Sequence, residues 1–185
     1  MQTTRKIVLT LSAAALGLGV GVVAPSGASA APAATVRMHD NCEAASFNAV
    51  FGDGTCVGNG TTTVDDFLAQ LNANGKAVGW TFRPGVVHVE KGDRIRAVDT
   101  GGEPHTFTRV AAFGGGCIDA LNQILGLTPV PECSQSVTVG GKKVPKFAAT
   151  LVTPGSSRTG VADHEGVIRF ECLIHPWMRT VVHVD

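Results

Sequence analysis

The sequence has no excess of either charge: fifteen Lys and Arg balance fifteen Asp and Glu in 185 residues. That balance argues against nucleic acid or an anionic membrane surface as the main partner. Tyrosine is absent and charged residues make up only 16%, while Gly and Pro are plentiful at 23 and 9. A helical bundle is a poor fit to that composition, and short strands joined by turns are a good one. No internal repeat or low-complexity tract is present. Disorder is disfavoured because 44% of the residues are apolar and can bury a core. Catalytic signatures are missing too. No Ser-His-Asp grouping stands in a convincing context, there is no His-x-His pair, and Gly114-Gly115-Gly116 lacks the Lys of a phosphate loop and reads as a turn. The length suits one ordinary domain plus an appendage.

Residues 1–30 read as an export signal. Arg5 and Lys6 give a positive start, Ile7 to Val23 is free of charge, and Ala28-Ser29-Ala30 offers a small-residue cleavage site. The alternative is an uncleaved anchor, but Gly17, Gly19 and Gly21 make that run a mediocre permanent helix. No Cys sits at the cleavage site, so lipid anchoring is not suggested, and the mature chain is expected to have no membrane span. The expected destination is the periplasm, the cell surface or the extracellular space. An oxidising compartment should pair the cysteines, of which there are five. Cys42 with Cys56 and Cys117 with Cys133 is the simplest of three connectivities, and it leaves Cys172 over.

Residues 31–76 are expected to form an N-terminal extension with one amphipathic helix. Thr63 can cap it, Val64, Phe67, Leu68 and Leu71 make its apolar stripe, and Gly75 stops it. From 77 to 185 the period is two. Val78, Trp80 and Phe82 alternate, followed by Val87 and Val89, then Ile95 and Ala97, with Lys91-Gly92-Asp93 as a hairpin turn. Thr106 to Val110 continues as a strand. Residues 111–146 look inserted, with a small helical pattern at Ile118, Leu121, Ile124 and Leu125. Phe147 to Val152 resumes as strand and Arg158 to Gly166 reads as loop. Ile168, Phe170 and Cys172 share a strand face, and Val182 and Val184 close the chain. At least seven short strands predict an all-β sandwich.

The chemistry concentrates in Phe170-Glu171-Cys172-Leu173-Ile174-His175-Pro176-Trp177-Met178. Cys172, His175 and Met178 place a thiolate, an imidazole and a thioether on one tight loop. A second imidazole is available at His105, in Glu103-Pro104-His105-Thr106-Phe107-Thr108. Two His and one Cys thiolate in a trigonal set, with a weak axial Met, is what a blue-copper site requires. Soft sulfur suits Cu(I) and imidazole suits both oxidation states, so a geometry between their preferences keeps reorganisation small.

This segment resembles the cupredoxins, the plastocyanin and azurin family. Its Cys-x-x-His-Pro-x-Met loop is most similar to that of amicyanin. Phe82-Arg83-Pro84, Val87-His88-Val89-Glu90-Lys91-Gly92-Asp93 and Pro104-His105 carry the likeness upstream, so that it covers 78–110 and 147–185. The resemblance implies a Greek-key sandwich holding one type 1 copper on His105, Cys172, His175 and Met178. It also implies single-electron transfer through an exposed edge of His175, to a redox protein docking near His175 and Trp177. Three departures stand out. Asp99 replaces the family's usual Asn, 111–146 and 156–166 are long, and 31–76 has no counterpart in small members.

An exported electron carrier, monomeric and not an enzyme, is therefore the first reading. The alternative is a module for copper buffering or delivery, against which the scarcity of Met weighs: Met1 lies in the signal and Met38 is isolated. A copper enzyme would need a second, open site from His39, His88, His164 and His183, which share no spacing. His88 and His183 alternate with valines and are expected to face solvent. Trp177 reads equally as part of an apolar docking patch or as a cover over the copper. Asn59-Gly60-Thr61 matches a glycosylation sequon.

Overall fold

The computed structural model describes residues 32–185, so the expected export signal lies outside the described residues. The chain opens with β1 (Ala34–His39), then α1 (Ala44–Phe51) and α2 (Val64–Asn74). Strands β2 (Thr81–Arg83), β3 (Val86–Val89), β4 (Arg94–Asp99), β5 (His105–Thr106) and β6 (Thr108–Val110) follow. A long excursion carries α3 (Asp119–Leu125), a 3-10 turn at Pro131–Ser134, the ribbon β7 (Ser136–Val139) and β8 (Lys142–Pro145), and α4 (Lys146–Ala149). The chain ends with β9 (Leu151–Val152), β10 (Ser157–Val161), β11 (Gly166–Glu171) and β12 (Arg179–Val184).

Two four-stranded sheets form the sandwich, one ordered β10-β4-β1-β2 and the other β3-β12-β11-β6. Their inner faces follow from alternation. Val36 and Met38 of β1 and Ile95 and Ala97 of β4 face Ile168 and Phe170 of β11 and Val182 and Val184 of β12, all buried. Phe107 interrupts β5 and β6 to stack on Phe170 with ring centroids 4.0 Å apart. No helix among the described residues is long and apolar enough to cross a membrane.

The sandwich and the helix at 64–74 match their signals. Thr63 Oγ1 accepts the Asp66 N–H at 3.2 Å. Gly75 takes the left-handed conformation that ends the helix, and Val64, Phe67 and Leu71 are buried beneath it. Both expected disulfides are present, Cys42 with Cys56 and Cys117 with Cys133, and Cys172 is free.

Other local expectations are corrected. Residues 31–76 hold two helices and a strand rather than one helix. β1 sits inside a sheet, parallel to β4 and antiparallel to β2, because its alternating Val36 and Met38 complete the core. The turn at 91–93 is not a hairpin. β3 pairs with β12 and β4 with β1 and β10, so the turn, with Gly92 at φ 95°, carries the chain from one sheet to the other. Residues 158–161, expected as loop, belong to β10 on the edge beside β4. Of 147–152, only Leu151 and Val152 are strand. Before them α4 turns the chain, the Lys146 and Phe147 carbonyls accepting the Thr150 N–H and hydroxyl.

Candidate metal centre

His105 opens β5, and Cys172, His175 and Met178 lie in the loop between β11 and β12. That loop is closed by its own backbone: the Cys172 N–H donates to the Met178 carbonyl at 3.0 Å and the Met178 N–H to the His175 carbonyl at 2.9 Å. Two further bonds moor it. Leu173 N–H donates to Thr106 Oγ1 at 2.7 Å, and the Leu173 carbonyl accepts the Cys117 N–H at 2.6 Å. The glycine run at 114–116 permits that approach, because a Cβ on Gly116 would stand 2.4 Å from the Leu173 oxygen. The excursion at 111–146 thus buttresses the loop from one side.

Three donor atoms converge. Cys172 Sγ lies 3.9 Å from His105 Nδ1 and 4.0 Å from His175 Nδ1, and the two Nδ1 atoms are 3.3 Å apart. All three residues are buried. A point equidistant from the three atoms lies about 2.2 Å from each, which falls between metal–imidazole and metal–thiolate bond lengths. Two facing imidazole nitrogens beside a sulfur therefore make a pocket the size of one soft metal ion. Met178 is buried at 1% exposure on the same loop.

The outer faces of both rings meet carboxylates. Asp40, just past β1, places Oδ2 3.0 Å from His105 Nε2. With the Nε2 proton held by that carboxylate, Nδ1 is the nitrogen that would offer its lone pair inward once a metal displaced the other proton. Asp40 is itself fixed by the backbone N–H groups of Cys42, Gly102 and Glu103, at 2.9 to 3.2 Å. Across the site, Glu103 Oε2 accepts the Trp80 indole N–H at 2.6 Å and stands 3.7 Å from His175 Nε2. Asp99, at the expected Asn position, is also buried in this cluster. Its Oδ1 accepts the Gly101 N–H at 2.9 Å.

These contacts set the ionisation of the metal-free site. Burial disfavours charge on Cys172, but hydrogen bonds from His105 and His175 and their positive charge outweigh it and hold the thiol well below its usual range. The N–H groups of Thr106 and His175 also point at Sγ, each at 3.4 Å. Burial opposes charge on His105 as well, yet Asp40 and Cys172 together raise it to about 10. Burial lifts Asp99 to about 6.

One expectation fails. The edge of His175 is not exposed: the ring is 3% accessible. Phe67 of α2 lies 6.2 Å from it, Trp80 6.3 Å and Trp177 5.4 Å, ring centroid to centroid. A partner cannot touch the imidazole edge at the Trp177 side, because the helix after the first disulfide roofs it. The signals missed were Asp40, Glu103 and Phe67. Glu103 stands two residues before His105 in a quoted motif, whereas nothing local ties Asp40 to a histidine 65 positions on. The remaining histidines stay apart from the site. His88 and His183 stack on each other at 4.9 Å on the outer face of their sheet. His164 bonds Asp163 and Arg109, and His39 is exposed.

Glu171 adjoins Cys172 on β11 and is fully buried. Its Oε2 accepts the Gly114 N–H at 3.2 Å and lies 3.3 Å from Arg179 Nε, while Oε1 has no hydrogen-bond partner among the described residues. Burial raises its carboxyl from 4.5 to about 7, with Arg179 opposing. A folded-state value above the unfolded one contributes stability that is present below pH 4.5 and lost as pH rises through 7. Glu171→Gln removes that loss. In urea unfolding of the metal-free protein, the variant should gain about 1–2 kcal/mol on the unmodified chain between pH 5 and pH 8. A gap that does not change with pH contradicts this.

No protein-family model and no curated protein matches the chain. Among solved structures it is similar to a purple cupredoxin from Nitrosopumilus maritimus, at 20% identity over 62% of this chain and 90% of that one, with a TM-score of 0.36. It is also similar to a reduced amicyanin mutant at 18% identity, over 57% of this chain and 73% of that one, TM-score 0.35. Amicyanin from Paracoccus versutus is 14% identical over the same shares, TM-score 0.34.

Proposed function

We propose that the chain is an exported, cupredoxin-like protein that holds one type 1 copper and carries single electrons. The observation that carries this reading is the triangle of His105 Nδ1, Cys172 Sγ and His175 Nδ1, with sides of 3.3 to 4.0 Å. Met178 is the proposed weak axial ligand. Bound there, copper supplies a reversible Cu(II)/Cu(I) couple.

The protein's part is to hold the donors still. Asp40 fixes the His105 tautomer, the loop hydrogen bonds fix Cys172 and His175, and the buttress at Leu173 keeps the loop from opening. Donors set beforehand need to move little when the charge on the site changes by one, which favours fast transfer. A buried, closed ligand set also speaks against buffering or delivery, where metal must leave readily. Two disulfides in a chain of this size agree with an oxidising compartment after export. No substrate has to bind for this role, and none of the remaining clusters is needed for it.

The test is a visible absorption titration of the protein with Cu(II). An intense thiolate-to-copper band should grow, saturate at one copper per chain and bleach on reduction with ascorbate. A colourless or faintly absorbing product rejects the thiolate–copper assignment. Saturation at two coppers favours an enzyme with a second site.

A further inference from the structure

On the electron-carrier reading, we propose that the trough between α1, α2 and α3 is the docking surface for a redox protein whose contact face has an apolar centre ringed by Lys and Arg. The trough has a volume of about 440 Å³, and His175 and Glu103 form part of its lining. Its walls include Val50, Phe51, Leu68, Leu121, Ile124 and Ile174. Val50 and Phe51 are 61% and 54% exposed, and Ile124 is 38% exposed. Apolar side chains left in water around one depression are the mark of a contact surface.

Charge identifies the occupant. Residues 40–75, which include α1 and α2, contain no Lys, Arg or His, and the same holds for 110–141, which include α3. The exposed carboxylates of those segments, Asp53, Asp65, Asp66 and Asp119, therefore face no cation of the same segment. Every cation of the described chain lies on other elements, although the whole chain is neutral. An apolar floor on helices that carry exposed carboxylates and no Lys or Arg complements a cationic rim. His175, though only 3% exposed, belongs to the trough's lining, so a partner seated there comes next to a proposed ligand ring.

The test follows stopped-flow reduction of the Cu(II)-loaded protein by ferrous cytochrome c, a lysine-rimmed haem protein used as the cationic probe. One electron leaves the haem iron, which becomes Fe(III), and Cu(II) becomes Cu(I); no bond or proton moves. The rate should fall at least tenfold between low and high ionic strength. Asp65→Lys with Asp119→Lys should lower it about tenfold at low ionic strength, and Val50→Ser with Phe51→Ser about tenfold at any ionic strength. Neither pair of changes should slow reduction by ascorbate. If both leave the cytochrome rate unchanged while ascorbate still reduces the protein, the docking proposal is overturned and the carrier reading stands. If the serine pair instead slows an uncharged quinol and the lysine pair does nothing to the cytochrome, the trough is a small-molecule site. A dimer in sedimentation that the serine pair dissociates assigns the trough to a second copy. Failure of ascorbate itself rejects the carrier reading, and the proposal with it.

Discussion

Cys172→Ser is expected to abolish the intense visible band and to weaken copper binding by more than about a hundredfold, beyond what loss of a supporting contact costs. The metal ligand has to be a thiolate. At this position the protein supports one despite complete burial, through the hydrogen bonds from His105 and His175 and their positive charge. A serine hydroxyl in the same place stays protonated, is a hard donor and has no low-energy charge transfer to copper. The fold should tolerate the change. Serine still accepts from the N–H groups of Thr106 and His175, and both disulfides lie elsewhere. The metal-free variant should therefore unfold within about 1 kcal/mol of the unmodified protein. A band of undiminished strength in the serine variant would move the copper to other ligands.

The parts of this structure that can be read from sequence are those whose signal is local. The Cys-x-x-His-Pro-x-Met spacing brings its residues onto one short loop whatever the rest of the chain does. The helix at 64–74 carries its own cap, stripe and stop. Pairing of cysteines fourteen and sixteen residues apart needs only short loop closure. Alternation over 86–99 correctly gives two strands with inward valine, isoleucine and alanine. Alternation does not say which strand pairs with which, however, and a turn between sheets has the same Lys-Gly-Asp signature as a hairpin turn. β1 was obscured in another way. Ala34 to His39 alternates as β4 does, yet it precedes a helical stretch, and its place beside β4 depends on a parallel pairing some 60 residues away. Because β1 ends at the site, misplacing it also hides Asp40. The burial of His175 is lost for the same reason. It arises when α2 folds back over a loop more than a hundred residues later in the chain, and Phe67 looks like ordinary core in the helical stripe.

Asp40→Ala should be the most damaging single change outside the proposed ligands. One carboxylate accepts from the N–H groups of Cys42, Gly102 and Glu103 and from His105 Nε2, in a position 4% exposed. Alanine leaves three buried backbone donors without a partner, and a loss of about 3–5 kcal/mol is expected in denaturant unfolding of the metal-free protein. The pH dependence carries the same signature. Burial alone would raise the Asp40 carboxyl, but the His105 bond and the backbone donors lower it from 3.8 to about 2. A depressed folded-state value means that the carboxylate's contribution is present above pH 3.8 and is lost as pH falls towards 2. The alanine variant should lack that acid step. Asp40→Asn separates positioning from folding. Its carbonyl oxygen still accepts from part of the backbone, so the stability cost should be smaller, at about 1–2 kcal/mol. An amide nitrogen turned towards His105, however, accepts nothing from Nε2–H. The ring is then driven to the tautomer with its proton on Nδ1, the atom that faces Cys172 and His175. Copper affinity should fall 10- to 100-fold in the folded Asn variant, with a displaced visible band. Equal affinity and an unshifted spectrum in that variant would reduce Asp40 to a scaffold residue and leave the N-terminal strand with no part in the metal site.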